Sequence, residues 1–164
     1  MQCLRKKPNI QIDYFKSKIM GDISKDINSS FPDNKVKALL NIIYTANWIN
    51  SHQNTFFKTF GISPQQFNIL RILRGAGEAL KVQTIKERML ERAPNVTRLM
   101  DKLCAKKLIE RIPCPTDRRV VHIAITDEGL KLLDDISKKM NFDLLENLNE
   151  KEAGQLSDLL DKIR

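Results

Sequence analysis

Pro113-Cys114-Pro115-Thr116-Asp117-Arg118-Arg119-Val120 lies between two short apolar runs, Leu108-Ile-Glu-Arg-Ile112 before it and Val120-Val-His-Ile-Ala-Ile125 after it. Turn-forming residues between two strand-like runs predict a β-hairpin. Its tip carries two adjacent arginines, Arg118 and Arg119, with Asp117 beside them. Two prolines stiffen the approach by fixing φ. A rigid arm ending in guanidinium groups suits a phosphate backbone or a narrow minor groove. The run before the hairpin, from Pro94 to Lys107, has helical spacing. Val96, Leu99, Met100 and Leu103 share one face, and Asn95, Thr97, Arg98, Asp101 and Lys102 occupy the others. That run becomes the candidate reader of a major groove.

Upstream, Ser63-Pro64-Gln65-Gln66 is a helix start. Ser63 can accept from the N3 amide, Pro64 suits N1 and Gln66 completes a capping box. Phe67, Leu70 and Leu73 face inward, and Gly75 and Gly77 break the run. A further helix covers Val82 to Leu90. Before these, Asp33 or Asn34 can cap a helix starting near Lys35, with apolar positions from Val36 through Phe60 and a terminal Gly61. Asn9 to Met20 also has helical spacing. Downstream, Thr126-Asp127-Glu128 opens a long helix whose stripe (Leu130, Leu133, Ile136, Met140, Leu144, Leu148) continues with little interruption. Asn149 with Glu152 starts another, through Ala153, Leu156, Leu159, Leu160 and Ile163.

The expected fold is mainly α with a small β-hairpin: a winged helix-turn-helix domain with N- and C-terminal dimerisation helices. Residues 1–34 form an N-terminal extension, helical in part. Residues 35–61 are a first dimerisation or linking helix, 62–126 the winged helix-turn-helix DNA-binding domain, and 127–164 the C-terminal dimerisation helices. The end helices have more apolar face than so small a middle domain can cover, and such faces usually meet a second copy.

Charge is uneven along the 164 residues. Residues 1–70 hold nine Lys/Arg against four Asp/Glu, residues 71–119 thirteen against six, and residues 120–164 six against ten. The excess behind the net charge of +8 therefore peaks where the second helix and hairpin lie, which points to a polyanion partner. An apolar content of 41% is ordinary for a soluble globular chain. No run approaches a membrane span, and the N-terminus lacks a signal-peptide core. Three cysteines, with no C-x-x-C pair, argue against a disulfide framework or a zinc site. The expectation is a cytoplasmic protein with no membrane partner. An enzyme is not expected: there are only two histidines, no phosphate-binding Gly-rich loop, no H-E-x-x-H and no nucleophile elbow. No cofactor or metal is implied.

Four segments, in order, resemble the MarR family of bacterial transcription regulators. They are Ser63-Pro-Gln-Gln-Phe-Asn-Ile-Leu70, Asn95-Val-Thr-Arg-Leu-Met-Asp-Lys-Leu103, Leu108-Ile-Glu-Arg111 with Asp117-Arg-Arg119, and Ile125-Thr-Asp-Glu-Gly129. The resemblance covers Ile62 to about Leu133. It implies a homodimer bound to a palindromic double-stranded DNA operator, and often release when a small aromatic or amphipathic ligand binds or a cysteine is oxidised; the reading for this chain is a repressor, with activation left open. It also points to Arg119 as the minor-groove residue, with Arg118 close behind. Two positions depart from the pattern. Leu90 and Lys107 stand where the family often has Gly. A Lys in a left-handed cap costs roughly 1 kcal/mol, so either the helix ends differently or that strain is tolerated.

On chemistry, Asn95 suits adenine and Arg98 guanine in bidentate pairs, while Thr97 and Lys102 suit phosphates. Asp117 would hold one wing arginine. The competing reading is an ordinary surface, with Arg98 and Asp101 in weak ion pairs. Tyr44, Trp48 and His52 fall at i, i+4 and i+8 and share a helix face, which suits a planar aromatic ligand; the plainer reading is core or dimer interface. Cys104 and Cys114 lie beside basic residues that could activate a thiol, although Cys104 also falls on the apolar stripe. Two alternatives stay open: a cysteine-oxidation-sensing regulator of this fold, and a dimeric winged-helix adaptor that binds protein.

Overall fold

Local signals in the sequence place most of the helix boundaries. The computed structural model describes residues 21–90, 95–113, 120–140 and 144–164. Asp22 caps a short helix α1 (Ile23–Asp26), and its carboxylate also pairs with Lys37 at 2.7 Å. The Lys37 hydrogen bond and the Ser24 amide together hold the Asp22 carboxyl at about 2, below its ordinary 3.8. Asp33 Oδ1 accepts the amides of Lys35 and Val36 and so opens α2 (Asn34–Lys58). The helix ends three residues before Gly61, which takes a left-handed φ of 70° in the following turn. Ser63 and Gln66 form the expected capping box of α3 (Pro64–Ala76). Gly75 stays helical, and the left-handed cap is Gly77 alone. The expected helix near the N-terminus, at Asn9 to Met20, lies outside the described residues.

Next come β1 (Leu80–Lys81), α4 (Val82–Arg88), α5 (Val96–Ala105), β2 (Ile109–Pro113), β3 (Val121–Ile125), α6 (Asp127–Lys139) and α7 (Glu150–Ile163). The hairpin strands pair antiparallel with Arg111 opposite Ile123 and Pro113 opposite Val121. β1 adds to the far side of β3, making a three-stranded sheet in the order β1-β3-β2. This third strand was not expected, because two residues are too few to show an alternation. The long helix after Thr126 is also shorter than expected. It stops at Lys139, Met140 leaves helical geometry with ψ 79°, and Leu144 to Asn147 form turns. Asn141, Asn147 and Asn149 are poor helix formers and good turn formers. They outweigh a stripe that is continuous in hydropathy alone.

The chain divides into two compact units, residues 1–48 and 49–164. In the second, Ile69, Leu70, Leu73, Ile85, Val96, Met100, Leu103, Ile123, Leu133 and Ile136 close an apolar core shared by α3 to α6 and the sheet. Arg74 reaches Asp134 across α3 and α6 at 3.7 Å. Phe57 and Phe67 stack at 4.4 Å beside Phe56 and Phe60. Among the described residues no helix is long and apolar enough to cross a membrane.

Apolar side chains stay uncovered in each unit. In the first, α2 exposes Leu39, Leu40, Ile42, Ile43 and Tyr44. In the second, α7 buries nothing fully and leaves Leu159 at 61% and Ile163 at 68% exposure.

Candidate nucleic-acid interface

Helix α5 separates its two faces cleanly. Val96, Met100 and Leu103 are at most 1% exposed and anchor it in the core. Thr97, Arg98, Asp101 and Lys102 are exposed on the opposite side. Asn95 occupies the N-cap position yet makes no side-chain cap bond, so its amide group is not consumed by the helix. The amides of the first turn add a positive pole at the same end. Helix α4 precedes α5, and residues 91–94 of the connection between them lie outside the described residues. Asn68 of α3 accepts the Leu90 amide at 3.3 Å and holds the chain at the end of the described stretch after α4.

The far end of α5 is pinned at several points. The Leu108 amide donates to Leu103 O at 3.0 Å and the Lys107 amide to Cys104 O at 2.8 Å. That is a Schellman motif with Lys107 as its left-handed residue, at φ 58°. The helix therefore ends where the glycine pattern would end it, and the strain on Lys107 is tolerated. Thr126 shows why. Its Oγ1 donates to Lys107 O at 2.7 Å and accepts the Gly129 amide at 3.1 Å, so one hydroxyl clamps the α5 exit and caps α6. The Thr126 amide donates to Leu108 O at 3.2 Å. Lys106 Nζ donates to Gly61 O at 2.6 Å. Buried Gln66 spends its Oε1 on the capping box and points Nε2 at Leu99 O, 3.5 Å away.

Asp101 does not pair with Arg98. Its carboxylate accepts from the Arg111 guanidinium of β2. Among the described residues Arg98 has no ion pair. The structure thus brings Asn95, Thr97, Arg98 and Lys102 together on one outward surface. Asp117, Arg118, Arg119 and Cys114 lie outside the described residues, as does Cys3. Cys104 is a free, half-buried thiol against the core. Tyr44, Trp48 and His52 all lie on α2; Tyr44 is exposed, and Trp48 and His52 are half-buried and engaged with neighbours. Among the described residues no group of three or more His, Cys, Asp or Glu could hold a metal ion.

Sequence reasoning missed Arg111, Lys106 and Gln66 as supports of α5. Only Gln66 carried a local signal, its place in the capping box; the other two bonds join residues 10 and 45 positions apart.

Comparison with known proteins places this geometry among relatives. The model of the MarR family matches residues 60–120. The HTH-type transcriptional regulator MhqR of Bacillus subtilis is 32% identical over 118 residues, covering 70% of this chain and 81% of that one. The crystal structure of a MarR transcription factor from Planctomyces limnophilus superposes with a TM-score of 0.60 at 33% identity, over 82% of this chain and 95% of that one. A cysteine-to-serine mutant of MarR from E. coli, complexed with operator DNA, gives a TM-score of 0.68 at 26% identity, over 82% and 99% of the two chains.

Proposed function

The chain belongs to the MarR family of transcription regulators, and from that premise we propose that it acts as a homodimeric repressor on a palindromic double-stranded DNA operator in the cytoplasm. The observation that carries the reading is the two-faced α5, with its apolar stripe sealed and Asn95, Thr97, Arg98 and Lys102 turned outward at the second helix of a helix-turn-helix. Asn95 and Arg98 stand early enough to reach base edges, and Thr97 and Lys102 suit phosphates. Arg118 and Arg119, beyond the described residues, add a minor-groove arm by their place in the sequence.

Dimerisation is supported by the uncovered apolar faces of α2 and α7. Exposed Leu and Ile side chains in a row cost free energy in water that a second copy recovers. Residues 62–126 then read DNA, while 35–61 and 127–164 supply the interface. A small aromatic effector at Tyr44, Trp48 and His52 would tune the dimer; their spacing at i, i+4 and i+8 along α2 supports that reading.

Binding by genomic fragments selected on the purified protein tests the proposal. With six to ten phosphate contacts, affinity falls by about 10³–10⁵ between 50 and 200 mM salt. A protein-binding adaptor enriches no fragment, and any residual DNA affinity shows no sequence preference.

A further inference from the structure

An acidic side chain on a DNA-facing helix needs an explanation. Asp101 lies among Thr97, Arg98 and Lys102 on the exposed side of α5. A bare carboxylate there repels the phosphates that its neighbours attract. Its partner, Arg111, comes from β2, the strand that leads into the basic hairpin tip. The two side chains are 46% and 55% exposed, so solvent and salt screen them and the pair adds little to folding stability. The contact is a single charge-assisted hydrogen bond, from one guanidinium nitrogen to Asp101 Oδ1, and such bonds are directional. It spans from the outward face of α5 to β2 at the base of the hairpin.

We propose that Arg111 is a positioning residue for operator binding. It cancels the charge of Asp101 and ties β2 to the outward face of α5, so that this face meets DNA without a bare carboxylate. This rests on the DNA-binding reading above. Arg111 acts through Asp101 rather than by its own phosphate contact, and that distinction is measurable.

The experiment is a set of operator titrations with wild-type protein, Arg111→Ala, Asp101→Ala and the double variant, at several salt concentrations, with thermal midpoints recorded. The duplex is one selected from genomic fragments by the wild-type protein. Arg111→Ala should weaken binding about tenfold or more by leaving the Asp101 carboxylate uncompensated on the DNA-facing side. The double variant should recover most of the charge penalty and bind more tightly than Arg111→Ala alone. The slope of log affinity against log salt should stay within about half a unit of wild type in the double variant, since no phosphate contact is lost. Thermal midpoints should barely move. If Arg111→Ala and the double variant lose affinity equally and the slope drops by about one, Arg111 is itself a phosphate contact and the proposal is wrong. Unchanged affinity in all variants also overturns it while leaving the regulator reading intact. If wild-type protein selects no duplex at all, both readings fall together.

Discussion

Gly129 and Gly75 should respond to the same substitution with opposite signs. Both lie inside helices, α6 and α3. A Cβ on Gly129 would sit 2.2 Å from Leu108 O and 2.7 Å from Ile125 Cγ1. Ordinary contact is near 3.4 Å, so the joint between the α5 exit and α6 must open by about 1 Å. Leu108 O accepts the Thr126 amide and is backbone, so it cannot swing aside as a side chain would. Overpacking of this kind costs about 1–3 kcal/mol, and the stretched hydrogen bond adds about 1 kcal/mol. The helix preference of Ala over Gly returns about 1 kcal/mol. Gly129→Ala should therefore destabilise by about 1–3 kcal/mol. Gly75 has nothing within 4 Å of a built Cβ, so Gly75→Ala keeps only the favourable part, about 0.5–1 kcal/mol of stabilisation. Urea unfolding followed by circular dichroism, at one fixed protein concentration, measures both. A stabilised Gly129→Ala, or two shifts of equal sign and size, would refute the close approach of Leu108 to α6.

Lys107→Gly should stabilise by about 1 kcal/mol, because it relieves a left-handed residue whose neighbours hold it in place; a loss of stability on urea unfolding would mean the Lys side chain contributes contacts that outweigh the strain. Arg98→Ala should cost about 1–3 kcal/mol of operator affinity and relax preference at one base pair, whereas Lys102→Ala should weaken all duplexes alike and lower the salt slope by about one. Fluorescence anisotropy with single-base operator variants separates the two, and identical profiles would reject the division of roles. Asp22 has a lowered folded pKa, so its ion pair with Lys37 contributes stability above the ordinary carboxylate range and loses it as pH falls toward about 2. Carboxyl carbon NMR should find Asp22 still ionised at pH 3, and Lys37→Met should move its midpoint up toward 3.8; a wild-type midpoint already near 3.8 would break the assignment.

What the sequence made legible was local or periodic. The stripe Val96, Met100 and Leu103 repeats at helical spacing, and the Ser63–Gln66 and Asn149–Glu152 boxes declare themselves within four residues. The hairpin strands carry their own β-branched composition. The outward set on α5 follows from the inward one, because a helix has only two sides to offer a core. What was hidden depends on residues far apart in the chain. The fit of Gly129 against Leu108, the Arg111 support of Asp101 and the Lys106 bond to Gly61 have no periodic trace. β1 exists only because β3 offers it an edge. The break after Lys139 was a contest between hydropathy and asparagine backbone preference, and a stripe read by hydropathy alone decides it wrongly. Lys107 posed a question that only its neighbours could answer: the clamp from Thr126 makes a costly backbone angle sustainable.

Two copies of α5 should read one DNA together. Hydroxyl-radical footprinting on a duplex selected from genomic fragments tests it most directly. The expected pattern is a palindromic site with two protected half-sites centred about 10–10.5 base pairs apart on one face of the helix, both lost together in an Arg98→Ala, Lys102→Ala variant that still dimerises. A single unpaired footprint, or protection that survives in that variant, would contradict it.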